Sequence, residues 1–430
     1  MQRRQAVVVS FLLAASTACS TGIDQPSGEP EGIDLARADL PRSATSPADA
    51  SAGSESIDAF GLDLYRRLAL DDGNIVFSPS SVAIALAMAR AGARAETAAE
   101  MDAVLHSQGS DQLARGINAL DLALGGRSGT FSDQAGKSLD VTLRIANAPF
   151  AQRGMELERP YLEALATRFG AGLRLVDYAG DPEAARLLID AWFDDRTEQR
   201  IPKLLAPGVI SEQTRLTLIN AIYLKAPWAT PFDAAATKPG PFTRTDGSRI
   251  DVPLMHVDGT LPYAEGAGWR AVELPYLGGS LAMTVVVPDD LAAFERDLDP
   301  DTLGEVISAL EPRSVDLAFP RFRVETQADL SAILAALGMP LAFDRDRADF
   351  SGITTQEQLY ITAVIHQANI DVDEKGTEAA AATAVVMGVE SAPLEQVTLR
   401  VDRPFVFLLR DLPTGAIVFM GRVVDPAAEG

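Results

Sequence analysis

A chain of 430 residues with 47% hydrophobic and 23% charged side chains has the composition of an ordinary folded protein, which excludes disordered, fibrous and many-spanning membrane classes. Its 60 acidic residues against 37 basic ones leave a formal charge of −23, which repels phosphate backbones and excludes nucleic acid as a partner. No Lys- and Arg-dominated run dense enough for a sulfated polysaccharide occurs either.

Arg3 and Arg4, an apolar run from Ala6 to Ala15, and the small residues Ser16, Thr17 and Ala18 before Cys19 read as a secretory signal over residues 1–19, too short for a membrane span. Cys19 is the single cysteine, so no internal disulfide exists, and its position suggests lipid attachment at a bacterial lipoprotein site. Ser16 stands where that motif usually has Leu, and cleavage after Ala18 is the alternative. The expected location is secreted or extracellular, with Cys19 as the one route to the outer face of a membrane. Residues 20–55, rich in Ser, Pro, Gly, Asp and Ala, read as a disordered tether, and a single folded unit is expected over 56–427.

Ser78 is a good N-cap, Pro79 suits the first helical position and Gly92 the end of a helix whose positions are nearly all apolar or small. With so little polar face, that helix is expected beneath a sheet. Helical patterns follow at 95–105, 160–168 and 182–196, and strand-like runs at 141–147, 216–225, 271–275, 281–288, 315–324, 359–372, 397–410 and 416–424. With no repeat and no βαβ alternation, the class is α+β.

A catalytic centre finds no support in the motifs. The three histidines, His106, His256 and His366, form no zinc pair, and no G-x-S-x-G elbow occurs. Ala135-Gly-Lys-Ser138 lacks the earlier glycine of a phosphate loop, and Gly266-Ala-Gly268 leads into a strand rather than a helix. No metal or cofactor is expected. His366, in an apolar run, reads by itself as a hydrogen-bonded core residue.

The informative segment is Asp373-Glu374-Lys-Gly376-Thr377-Glu378-Ala379-Ala380-Ala381-Ala382-Thr383-Ala-Val-Val-Met387-Gly-Val389-Glu390-Ser391. Composition alone describes a linker or a short alanine helix. As a strand, however, Thr377, Ala379, Ala381, Thr383, Val385 and Met387 share a face that is entirely small or apolar, with Gly376 as a pivot.

At this point the chain resembles the serpin family over residues 57–427. The resemblance is carried by Phe77-Ser-Pro-Ser-Ser81 with Ala93-Arg-Ala-Glu-Thr97, by Asn220-Ala-Ile-Tyr-Leu-Lys225 with Trp228 and Pro231-Phe232, and by Pro404-Phe-Val-Phe with Gly421-Arg-Val-Val-Asp-Pro426. It implies three mixed sheets, about eight or nine helices and an exposed reactive-centre loop over 374–396. It also implies no catalysis by the chain itself, but suicide-substrate inhibition: a serine peptidase attacks the loop, and the cleaved loop inserts into the main sheet with the acyl-enzyme attached. The family's loop length places the bait bond at Glu390-Ser391, implying a target with a basic primary pocket; Val389 or Met387 would suit elastase-like, subtilisin-like or cysteine peptidases. Glu374, Gly376, Thr377, Glu378, Ala379, Ala380, Ala381, Ala382 and Thr383 match the hinge. Ser78, Ser81, Asn220 and His366 match a polar cluster beneath the sheet opening, and Trp228, Arg321 and Glu374 match the top of that opening. The partner implied is one peptidase in a covalent 1:1 complex with a monomer. A non-inhibitory binding protein is the alternative, although the small hinge residues argue against it. The chain departs from the pattern at Asp190, Gln199-Arg200 and Leu224, which touch packing and a surface turn.

Overall fold

The computed structural model describes residues 29–199, 203–377 and 396–428. From the N-terminal side the elements are β1 (Asp34–Ala36), α1 (Pro47–Leu68), β2 (Ile75–Phe77), α2 (Pro79–Gly92), α3 (Ala95–Val104), α4 (Ser110–Gly125), β3 (Gly129–Ser132), β4 (Ser138–Gln152), α5 (Arg159–Phe169), β5 (Leu173–Val176) and α6 (Pro182–Arg196). Then come β6 (Leu216–Pro227), β7 (Lys238–Thr243), β8 (Arg249–Gly266), β9 (Trp269–Pro275), β10 (Leu281–Pro288), α7 (Leu291–Asp297), α8 (Pro300–Ser308), β11 (Glu311–Pro320), β12 (Phe322–Asp329) and α9 (Ser331–Leu337). The last strands are β13 (Ala363–Asp373), β14 (Gly376–Thr377), β15 (Val397–Arg400), β16 (Phe405–Asp411) and β17 (Ile417–Val423).

The main sheet runs β1-β5-β4-β6-β14-β13-β12, with β3 on β4. The other strands follow the order β15-β11-β8-β9-β10-β16-β17-β2, with β7 on β8. The resemblance implies two separate sheets there; the 18-residue β8 joins them, because it pairs with β7 and β11 and then runs on to pair with β9.

As its sequence demands, α2 is buried on almost every side, and both of its buried hydroxyls find acceptors: Ser80 Oγ donates to the Ile417 carbonyl at 2.7 Å and Ser81 Oγ to Asn147 Oδ1 at 2.8 Å. Its N-cap forms as expected: Ser78 Oγ accepts from the Ser81 amide at 3.1 Å. The run at 315–324 is not one strand. The chain breaks at Arg321, directly after Pro320, so β11 and β12 belong to different sheets and Arg321 stands on the corner between them.

The disordered tether expected over 20–55 is corrected for residues 29–55. β1 adds to the edge of the main sheet, and α1 begins at Pro47 behind a capping box in which Ser46 and Asp49 each satisfy the other's backbone amide. The small residues that suggest disorder serve close packing instead. A Cβ on Gly53 of α1 would lie 2.6 Å from the Gly116 backbone of α4, so the two helices cross where neither carries a side chain. Residues 1–28, including Cys19 and the signal segment, lie outside the described residues. Among the described residues, no helix is long and apolar enough to cross a membrane.

Gly53→Val or Gly116→Val is therefore expected to force α1 and α4 apart and to lower stability by about 1–3 kcal/mol, as overpacking does. The denaturation midpoint in urea checks it, and an unchanged midpoint would contradict the crossing.

Candidate functional site

The main sheet has one irregular seam. β6 and β13 are parallel neighbours from Ala363↔Thr217 to Ala368↔Ile222. Above that they part, and the gap is filled by β14, antiparallel to both: Gly376 lies opposite Asp373 and Pro227, and Thr377 opposite Val372 and Ala226. The chain reaches the gap by a tight reversal after β13, where Asp373 Oδ1 accepts the amides of Lys375 at 2.7 Å and Gly376 at 3.2 Å. Only glycine fits the turn's end. Gly376 has φ +152°, and a Cβ there would lie 2.1 Å from the Ala226 carbonyl oxygen.

A set of side-chain and backbone contacts holds this reversal. Thr377, 1% exposed, has its hydroxyl 2.7 Å from the Tyr276 hydroxyl. Tyr276 in turn stacks on Trp228, with ring centroids 4.4 Å apart at 15°. Trp228 donates its indole N–H to the Asp373 carbonyl at 3.0 Å and its amide to Lys375 at 2.8 Å, and the Phe232 amide donates to the Glu374 carbonyl at 2.8 Å. The Glu374 carboxylate is buried and accepts from Arg321 Nε at 2.8 Å and from Thr237 Oγ1 at 2.5 Å. Burial pushes this carboxyl up, but the hydrogen bonds from Arg321 and Thr237 outweigh it and hold the group below the usual carboxylate range.

Lower in the seam, where the strands pair directly, His366 of β13 faces Asn220 of β6. The imidazole Nε2 accepts the Ser78 amide at 3.1 Å, so Nδ1 carries the proton and donates to Asn220 Oδ1. Asn220 Nδ2 donates back to the Ile365 carbonyl at 3.3 Å, and Ser81 Oγ donates to Asn147 Oδ1 of β4 at 2.8 Å. One neutral ring thus ties the cap of α2 to both central strands. Its complete burial pushes the imidazole from 6.5 down to about 3.

The structure accordingly brings Ser78, Ser81, Asn220 and His366 together beneath the seam, and Trp228, Arg321, Glu374, Gly376 and Thr377 at its top. Glu378, Ala379, Ala380, Ala381, Ala382 and Thr383 of the expected hinge, and Met387, Val389, Glu390 and Ser391 around the expected bait bond, lie outside the described residues. Sequence reasoning missed Tyr276, Thr237 and Asn147. Each acts on a partner about 70 to 140 positions away in the chain, and no local pattern signals such a contact.

Comparison with known proteins follows the same lines. Residues 55–426 match the family described as Serpin (serine protease inhibitor). An uncharacterized serpin-like protein of Thermococcus kodakarensis is 37% identical over 377 residues, covering 86% of this chain and 85% of its own. The leukocyte elastase inhibitor of Bos taurus is 34% identical over 383 residues, covering 85% and 97%. Among solved structures, the thermophilic serpin tengpin in the native state superposes with a TM-score of 0.77 at 25% identity, covering 91% of this chain and 97% of that one.

The buried imidazole sets a pH dependence. The unfolded chain binds a proton between 6.5 and about 3 that the folded state refuses, so stability is complete above 6.5 and falls as pH drops toward 3, by up to about 1.4 kcal/mol per unit. His366→Gln offers one donor and one acceptor without titrating. Urea midpoints at pH 7 and 4.5 are expected to fall less for this variant than for the wild type; equal falls would contradict the assignment.

Proposed function

The chain belongs to the serpin family, and we propose that it is a suicide-substrate inhibitor that traps serine peptidases by inserting its cleaved loop, residues 374–396, into the main sheet. The observation that carries this reading is β14. Gly376 and Thr377 already bond to β6 and β13 at once, and a strand continuing in that register has partners on both sides.

In the inserted form, a strand continuing this register would set Ala381 opposite Ala368 and Ile222, Thr383 opposite His366 and Asn220, and Met387 opposite Thr362 and Leu216, where β6 begins. Thr377 lies on the face of the core that contains Ile222, Leu224, Val364 and Ile370, so on insertion the alternate residues Ala379, Ala381, Thr383, Val385 and Met387 would follow it inward. Space between strands paired this closely admits small side chains, as the chain supplies. Insertion replaces the short parallel ladder by two longer antiparallel ones. About ten residues gain net hydrogen bonds of roughly 1 kcal/mol each, a drive on the order of 10 kcal/mol.

In this mechanism the target's serine attacks the Glu390 carbonyl and forms an ester, and Ser391 departs with the free amine. The released end then threads down the seam, breaking the His366–Asn220 contact on its way, and carries the esterified enzyme to the far end before water completes hydrolysis. Arg321, Glu374, Trp228 and Tyr276 hold the loop's base at the start position, and the buried polar cluster resists opening until the loop is cut. The mature monomer acts outside the cell, anchored through Cys19 or free.

Incubation of the full secreted chain with a glutamate-specific serine peptidase is expected to give an SDS-resistant 1:1 complex and a new amino terminus at Ser391. Thr377→Arg should be cleaved at the same bond with no complex, because a charged side chain would have to enter the core beside Tyr276. A cut after Val389 or Met387 with a complex would move the bait bond only. Clean cleavage of the wild type by every such enzyme, with no complex, would overturn the inhibitor reading.

A further inference from the structure

The segment before α1 is fastened to the element that lies over the seam. The Glu29 carboxylate, with 15% of the side chain exposed, bonds to Arg174 of β5 at 2.8 and 3.2 Å and to the indole N–H of Trp192 of α6 at 2.7 Å, with Arg196 of α6 at 3.9 Å. Both guanidinium groups lie over the Trp192 ring, at 4.2 and 4.1 Å from its centroid. The carboxylate therefore offsets part of the repulsion between two cations that share one ring, repulsion that its removal would leave uncompensated.

The next residues tighten the attachment. Gly32, at φ +98°, passes so close to α6 that a Cβ would lie 2.9 Å from Leu188, and Ile33 is buried in the core beneath that helix. Arg153 donates to the Gly32 carbonyl at 2.6 Å and to Asp34 at 2.7 Å, and Asp34–Ala36 pair with β5.

The other side of α6 covers the seam. Ile189, Trp192 and Phe193 share a core with Ile219 and Ala221 of β6 and with Ala363 and Ile365 of β13. Asp190 accepts the amides of Leu204 and Leu205, and Gln327 of β12 donates to the Leu204 carbonyl, so the cover reaches the far side of the seam. A strand entering in the register above would bring Ala382, Ala384 and Val386 against this underside, and α6 must lift to admit them.

We infer that residues 29–36 are a built-in strap: through the Glu29–Arg174–Trp192–Arg196 cluster they clamp α6 onto the main sheet and restrain opening of the seam. The inference rests on the insertion reading, since a strap matters only if the seam opens. Loosening the strap lowers the barrier to insertion, both of the chain's own loop and of a peptide supplied from outside.

The test uses the full secreted chain and a synthetic peptide of the sequence 377–387, whose incorporation is followed by native gel. Glu29→Gln keeps the shape but removes the charge, and is expected to take up the peptide about tenfold faster than the wild type, the scale of a desolvated cation–π and ion-pair cluster. Asp121→Asn loosens the same segment only where Arg42 grips α4, and is expected to match the wild type. Hydrogen exchange should quicken in Glu29→Gln at α6 and along 217–222 and 363–368, and stay unchanged in β16 and β17. Equal uptake rates for Glu29→Gln and wild type would overturn the strap while leaving insertion intact. Faster exchange in β16 and β17 as well would also overturn it, as the sign of general loosening. No uptake by any form would overturn the insertion reading, and the strap with it.

Discussion

The structure turns on one seam between two parallel strands that are paired along part of their length. β6 and β13 bond directly to each other from 217 to 222, and above that each bonds to the two residues of β14 instead. Parallel ladders are slightly weaker per residue than antiparallel ones, and a strand between the two would give both a second, antiparallel partner. In the proposed mechanism the closed seam is thus a less favourable pairing than the inserted form would make. Two buried acceptors on β13, Gln367 Oε1 and Asn369 Oδ1, have no hydrogen-bond partner among the described residues, a cost carried by this strand.

What keeps the seam closed is distributed above, below and across it. Below, the neutral His366 links α2 to both strands in a site too dry to admit its charged form. Above, the reversal at Gly376 is wedged by Tyr276 on Trp228 and tied at its shoulder by Glu374 to Arg321 and Thr237. Across it lies α6, held at one end by the segment before α1. None of these contacts is strong alone, and an exposed partner such as Arg321 contributes modestly. Together they oppose a rearrangement that, in the proposed mechanism, only loop cleavage makes rapid.

Much of this was legible in the sequence because it is written in local chemistry. The cap and apolar run of α2, the apolar and β-branched runs that become β6 and β13, and the glycine and small residues after β13 each follow from short-range rules. The association of Ser78, Ser81, Asn220 and His366 was legible only through family resemblance, since 288 positions separate the Ser78 amide from its imidazole partner. Tyr276 gave no signal: a tyrosine at the end of an apolar strand has nothing in its neighbours to show that it meets Thr377. The strap was misread outright. Its composition suggested disorder, yet Glu29, Ile33, Gly32 and the pairing of Asp34–Ala36 with β5 fix it against a surface on α6 and β5 that is already built.

The most direct measurement compares the thermal midpoint of the intact chain with that of the chain cleaved once within 378–391 and left unseparated. If the cut loop becomes the central strand of the main sheet, the midpoint rises by roughly 10 °C or more, the scale of some ten added ladder positions in a domain of this size. An unchanged or lowered midpoint would mean that the freed loop stays outside, and would contradict the account.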